Sequence, residues 1–373
     1  MKTRIIFIGY FVFVLLISSL KTYSCTTFCL ADNNQVVYGR NFDFEISSGF
    51  IVNNRKNLMK YALLSTEENI LQWTSRYGSI TFNQVGMEFP YGGMNEKGLV
   101  IAQMYLSRTR YPNMDNRKAI SCLQWIQYQL DVSATVNDVL KSDSTIRISN
   151  EIPVGIHFLV SDKSGKSVTI EFINGKMVYR FDNNLPIPLL SNNTYDESFD
   201  YLKQFDGFGG KETIKWTNIN DFEWTDNNTL NTNKLFATAA KNMIKKNDSI
   251  TLIDKAFGVL ESVTIKNHTQ WSIVFDITNM KIYFKNNQHC EIVSLDFRNF
   301  IFNSNADVKM LDIQSAKADK INEQFMLYST DRNREYTLKA TIPLIESGFI
   351  PEIPLEAIEI QVQYPETFQV VTQ

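Results

Sequence analysis

CTTFCLADNNQVVYGRNFDF, residues 25–44, reads as two short strands closed by a turn. Asp32, Asn33 and Asn34 supply turn chemistry, and the runs on either side are rich in Thr, Phe, Val and Tyr. The second run ends in a polar cluster of Arg40, Asn41 and Asp43. Side chains alternate along a strand, so Arg40 and Asp43 would point to opposite faces of a regular one. If both serve one site, the strand must bulge or end near Asn41.

What precedes this hairpin has the three parts of an exported leader. Lys2 and Arg4 form a positive start, Ile5 to Leu20 is apolar, and Thr22 and Ser24 are small residues at −3 and −1. The apolar run is short for a membrane span. Cleavage after Ser24 would make Cys25 the first residue of a secreted or periplasmic chain with no stable membrane insertion. It would also remove Lys2, Arg4 and Lys21 from a protein already at net charge −3. A mildly acidic chain without a basic block is a poor fit to nucleic acid or anionic membranes.

A cysteine at the N-terminus carries a thiol and an amine on one residue. The α-amino group has an unperturbed pKa of roughly 7.7–8.0 and is a usable base near neutrality. The pair is therefore a nucleophile with its own base, in a chain with only three histidines. A guanidinium such as Arg40 favours thiolate, and a carboxylate such as Asp43 can hold the ammonium formed. A cysteine after a leader is also the usual lipid-anchor arrangement. The residues before Cys25, Lys21-Thr-Tyr-Ser24, lack the leucine at −3 and small residue at −2 that lipidation uses. Cys25, Cys29, Cys122 and Cys290 are too few for a disulfide scaffold, and no HExxH or CxxC spacing suggests zinc or redox chemistry. No metal and no cofactor is expected.

Further along, residues 84–98 are dense in turn formers, and Leu99 to Leu106 is strand-like. Residues 118–131 have apolar positions at helical spacing, and Ser133 or Thr135 can cap a second helix. A meander follows over Ile156–Ser161, Ser167–Ile173 and Met177–Phe181, then helices near 196–205, 233–246 and 251–262, and a hairpin over 271–284. Strands and helices come in blocks, which disfavours a doubly wound parallel sheet. The order fits an α+β protein with two antiparallel sheets packed together and helices outside. Beyond about 300 the pattern changes: 307–328 reads as a polar helix, and Pro343, Pro351, Pro354 and Pro365 break the rest.

Cys25-Thr-Thr-Phe28 with Gly39-Arg-Asn-Phe-Asp43 resembles the choloylglycine hydrolase family of linear amide hydrolases, which includes bile salt hydrolases and penicillin V acylases. The likeness continues in Gly93-Met-Asn-Glu-Lys-Gly-Leu99, Leu123-Gln-Trp-Ile126, Ala134-Thr-Val136 and Trp271-Ser-Ile-Val-Phe-Asp276. It implies a four-layer αββα sandwich of the N-terminal-nucleophile type over 25–300, behind a 1–24 signal peptide and ahead of a 301–373 extension. It also implies Cys25 as nucleophile beside Arg40 and Asp43, with an oxyanion held by the Tyr105 backbone N–H and the Asn192 side chain. The substrate implied is a small N-acyl amide. In Leu235-Phe-Ala-Thr-Ala-Ala240 the sequence departs from the family, because leucine stands where an arginine is expected. The alternatives left open are an acyltransferase on the same scaffold and an inactive surface lipoprotein or binding protein. The extension has no readable chemistry; packing on the core and self-association into a homo-oligomer are its two open roles. Sequons at Asn227, Asn247, Asn267 and Asn192 matter only in a pathway that glycosylates them.

Overall fold

The computed structural model describes residues 25–371, apart from 33, 68, 153, 222–224, 226, 247 and 248. The leader expected over 1–24 and the sequon at Asn247 lie outside the described residues. The opening hairpin forms as β1 (Thr26–Ala31) and β2 (Val36–Asp43), paired from Thr26↔Asn41 to Ala31↔Val36. It sits in a six-stranded sheet, between Leu189–Leu190 on the β1 side and Thr269–Asp276 on the β2 side. Lys281–Asn286 and Val293–Asp296 complete that sheet.

A nine-stranded sheet lies against it. The meander Ile156–Ser161, Ser167–Ile173, Lys176–Phe181 forms one end, and Val100–Tyr105, Pro90–Asn95, Ser79–Asn83 and Phe50–Asn54 continue it. Alternation along Val100–Tyr105 explains the layering. Val100, Ala102 and Met104 face the first sheet with Phe28, Tyr38 and Phe82, while Ile101 faces the other way. The Tyr38 hydroxyl crosses the gap to donate to the Leu159 carbonyl at 2.9 Å.

Helices close both outer faces. α1 (Trp125–Val132) and α2 (Val136–Ser142) cover the nine-stranded sheet through Trp125, Ile126, Leu130 and Val139. Thr135 caps α2 in a capping box with Asp138. α3 (Tyr195–Leu202), α4 (Asn228–Ile244) and α5 (Leu252–Ser262) cover the six-stranded sheet. The result is the αββα order expected.

Four local expectations are corrected. Within 84–98, Pro90–Asn95 is a buried strand, because its two glycines let neighbouring groups come close rather than turn the chain. Lys118–Ile120 is a strand paired in parallel with Ile146–Ile148, and the helix begins only at Trp125. The stretch 307–328 is not an α-helix: Lys309–Asp312 adds to the nine-stranded sheet beside Phe50–Asn54, Met326–Leu327 pairs with it, and Ile321–Gln324 makes a short 3-10 turn between them. The proline-rich tail still forms α6 (Thr330–Glu346) and α7 (Leu355–Gln363). Pro343 sits inside α6, near its C-terminal end, while Pro354 occupies the N-cap of α7. α6 packs Tyr336 on Phe50, Val52 and Met310.

Candidate active site

β2 does not bulge or stop near Asn41. It runs on to Asp43, and the irregularity lies in the neighbouring strand, whose register slips between Thr269 and Trp271. Such a bulge twists the strand end and leaves Thr269 beside Asp43. Asn41 separates from its neighbours: its amide donates to the Leu260 carbonyl of α5 at 2.9 Å, and it accepts from Ser272 at 2.8 Å. It ties the sheet to the helix layer and leaves the polar cluster to Arg40 and Asp43.

Cys25 is 7% exposed, and its thiol donates to the Asp43 carbonyl at 3.7 Å. Arg40 points into the space between the sheets, 2% exposed. Its guanidinium donates to the Tyr91 carbonyl and, at 3.1 Å, to the Gln103 carbonyl, both on the facing sheet. Gly92 makes room for it, since a Cβ there would stand 2.7 Å from Arg40 Nη1. The guanidinium carbon also lies 5.2 Å from the centre of the Phe42 ring. Asp43 is 2% exposed and accepts from the Thr269 hydroxyl through Oδ1, while Oδ2 is buried with no hydrogen-bond partner among the described residues.

The electrostatics follow from this burial. Desolvation pushes the Cys25 thiol up to about 11, the Asp43 carboxylate adds to the rise, and Arg40 opposes it. Desolvation also raises the Asp43 carboxyl to about 7, against the Thr269 hydrogen bond and Arg40. In this state the thiol keeps its proton near neutrality, so attack requires a base at the sulfur. Asp43 has an unused carboxylate oxygen where a cation would be welcome.

Of the other two predicted residues, Tyr105 ends a strand of the facing sheet, and Asn192 lies in the bend past the Leu189–Leu190 strand. The Leu189–Leu190 strand pairs with β1 at Thr27↔Leu190, and Asn192 follows two residues beyond that last pair. That turn is pinned by Asn193, which donates to Thr229 O and Asn233 Oδ1 at 2.8 Å each, and by Glu171, which accepts from Tyr195 N at 2.8 Å. Tyr105 ends the Val100–Tyr105 strand, two residues beyond the Gln103 carbonyl that holds Arg40. Leu235 is fully buried on α4, an apolar core position.

Sequence reasoning missed Thr269 and the backbone carbonyls of Tyr91 and Gln103. Tyr91 and Gln103 act through backbone carbonyls, which carry no residue signature, and Thr269 reaches Asp43 across a separation of 226 residues. Among the described residues, no three His, Cys, Asp or Glu side chains converge as metal ligands would. No helix among them is long and apolar enough to cross a membrane.

A family model described as linear amide C-N hydrolases, choloylglycine hydrolase family, matches residues 25–310. Penicillin V acylase of Pectobacterium atrosepticum is 26% identical over 265 residues, covering 62% of this chain and 69% of its own. Bile salt hydrolase/transferase of Clostridium perfringens is 27% identical over 218 residues, covering 54% of this chain and 62% of its own. Among solved structures, penicillin V acylase from Agrobacterium tumefaciens superposes with a TM-score of 0.65 at 23% identity, over 82% of this chain and 98% of that one. A mutant conjugated bile acid hydrolase from Clostridium perfringens gives 0.60 at 21% identity, over 77% and 96%. At these identities the structural likeness bears on the fold.

Proposed function

The chain belongs to the choloylglycine hydrolase family of linear amide C-N hydrolases, and we propose that it is an exported member using Cys25 as an N-terminal nucleophile on a small N-acyl amide. The observation that carries this reading is the meeting of Cys25, Arg40 and Asp43, with Asp43 Oδ2 buried and unpartnered among the described residues. A buried carboxylate oxygen without a partner is costly, and an ammonium on Cys25 is the cation that cleavage after Ser24 would supply.

In this mechanism the α-amine takes the Cys25 proton as sulfur attacks the acyl carbon. The carbonyl π pair moves onto oxygen, where the Asn192 amide and the Tyr105 backbone N–H stabilise it. Collapse breaks the C–N bond, and the ammonium returns its proton to the departing amine. Water then attacks the thioester, with the same amine accepting its proton, and sulfur leaves as the acid is released. Arg40 keeps positive charge near the sulfur throughout.

Intact mass and N-terminal sequencing of protein recovered from an exporting host test the premise. A mature chain starting at unmodified Cys25 supports the reading. A different start, or a diacylglycerol on the sulfur, sinks it in favour of an anchored binding protein. Asn192→Ala tests the oxyanion role: kcat should fall by about 10²–10³-fold with little change in KM. A fall of less than tenfold would take Asn192 out of the chemistry.

Asp43 gives a pH test. Its folded pKa of about 7 lies above the ordinary 3.8, so this group favours folding below about pH 4 and progressively less as pH rises through 7. In a chain with residues retained before Cys25, no ammonium offsets this, and the loss is of order 4 kcal/mol. Urea midpoints at pH 5 and pH 8 should therefore diverge more in that chain than in its Asp43→Asn counterpart. Equal divergence in the two would show that Asp43 is not the buried, unpaired acid described.

One relative's name includes a transferase activity. On the same scaffold an amine would replace water at the thioester, and product analysis with added glycine separates the two outcomes.

A further inference from the structure

The family match ends at residue 310, yet the chain beyond it returns to the active site. α6 is fixed by several independent ties. Asn333 accepts from Met87 N at 2.8 Å and donates to Val362 O at 2.8 Å, Arg334 pairs with Glu359 of α7 at 2.7 Å, and Tyr336 packs its ring on Phe50. The helix ends in a left-handed Gly348 (φ 72°), whose N–H donates to the Ile345 carbonyl at 2.9 Å. Ile350 N then donates to Leu344 O at 3.2 Å, so the chain folds back over the helix end. This closed turn presents Phe349.

Phe349 meets Phe44 edge-to-face, with ring centres 5.4 Å apart and planes at 83°. Phe44 directly follows Asp43 and contacts Phe42 at 5.6 Å. Phe42 stacks on Trp271 at 4.4 Å and meets Tyr91 at 5.1 Å. The β1–β2 pairing starts at Thr26↔Asn41, so Phe42 and Cys25 are the next residues beyond it, and both belong to the one buried cluster between the sheets. An unbroken line of rings therefore runs from beside the nucleophile to the C-terminal segment. Phe44 and Phe349 are only half-buried, leaving apolar ring surface uncovered at the outer end.

We propose that Phe349 is a specificity-determining residue, completing an aromatic wall that receives a bulky apolar acyl group. The inference rests on Cys25 being the acyl acceptor. An acyl group stays on the sulfur from the first attack until water releases it, so the groups flanking the sulfur are those that hold the acyl chain. Rings set edge-to-face offer both faces and edges to an aryl or medium-length alkyl group, and the surface they leave exposed is what such a group would cover. The extension thus adds the far end of a subsite whose near end is built by the hairpin.

The test compares N-phenylacetylglycine, N-octanoylglycine and N-acetylglycine, which differ only in the acyl part. In Phe349→Ala, kcat/KM for the two bulky substrates should fall by about 10–100-fold, with a clearly smaller fall for the acetyl substrate. Phe349→Leu should lie between, and Leu355→Ala, a 69% exposed change in the same segment, should keep the wild-type profile. A second readout uses Cys25→Ala, titrating N-phenylacetylglycine by tryptophan fluorescence; adding Phe349→Ala should weaken binding about tenfold. Equal falls on all three substrates would overturn the proposal, as would no change or a dependence that follows the amine when glycine is replaced by tryptophan. If turnover is absent in the wild type but binding keeps its Phe349 dependence, the wall stands and the hydrolytic reading fails. If turnover is present without that dependence, the wall fails and the hydrolytic reading stands.

Discussion

Replacing Cys25 by alanine is expected to lower turnover by at least about 10⁵-fold while leaving the fold in place, as removing the nucleophile does in other covalent hydrolases. The magnitude follows from the site. With sulfur gone, the proposed oxyanion donors and aromatic wall remain, but in the proposed mechanism no group next to the scissile carbon can form an acyl intermediate. Only direct attack by water is left. The fold should survive because one sulfur atom is lost at the very start of the sheet, before the first pair of β1, and its hydrogen bond to a backbone carbonyl is a long 3.7 Å contact. Mass spectrometry provides the decisive readout: acid-quenched wild-type protein should carry the acyl mass of a slow substrate, and the alanine variant should not. Turnover within tenfold of wild type in the alanine chain would end the thioester mechanism.

The parts of this protein that could be read from sequence are those in which neighbours in the chain are neighbours in space. The opening hairpin, the meander and the capped α2 are of this kind, and they appear where the alternation and turn residues put them. Cys25, Arg40 and Asp43 meet because one hairpin carries all three. Pro90–Asn95 escaped because its glycines look like turn residues, whereas their role is to admit the Arg40 guanidinium and the neighbouring strand. The tail escaped because its prolines sit at a helix cap and near a helix end, where they break little. Phe349 escaped for a different reason: its partner Phe44 lies some three hundred residues earlier, and no local pattern joins them.

Replacing Lys60 by methionine is expected to cost about 3–5 kcal/mol of stability, because it strands two buried carboxyls without their cation. Lys60 is wholly buried, with its ammonium 2.7 Å from Glu88 Oε2 and 2.9 Å from Asp131 Oδ2. Asp131 also accepts from Trp73 and Gln127 at 2.8 Å, and the Phe368 ring lies 5.1 Å from the ammonium. Burial works against each charge in this cluster: it holds the Glu88 carboxyl up at about 7 even with the cation present. Removing the cation leaves two desolvated carboxyls facing each other, which pushes their folded pKa values further above the unfolded ones. The contribution of these acids to stability is then lost as pH rises, so the penalty should be larger at pH 8 than at pH 5. A melting temperature lowered by of order 5–10 °C at pH 8 would register it. Combining Lys60→Met with Glu88→Gln and Asp131→Asn should recover most of the loss, because the charges vanish together. The consequence reaches the substrate wall. Gln369–Val370 pairs with Leu58 and Met59 beside Lys60, and Tyr364 donates to Tyr61 O at 2.6 Å, so this cluster anchors the segment that carries Phe349. Lys60→Met should therefore also erode the preference for bulky acyl groups before the protein unfolds. A variant within about 1 kcal/mol of wild type at pH 8 would mean that the buried charges are relieved by some other route, and the extension would need a different anchor.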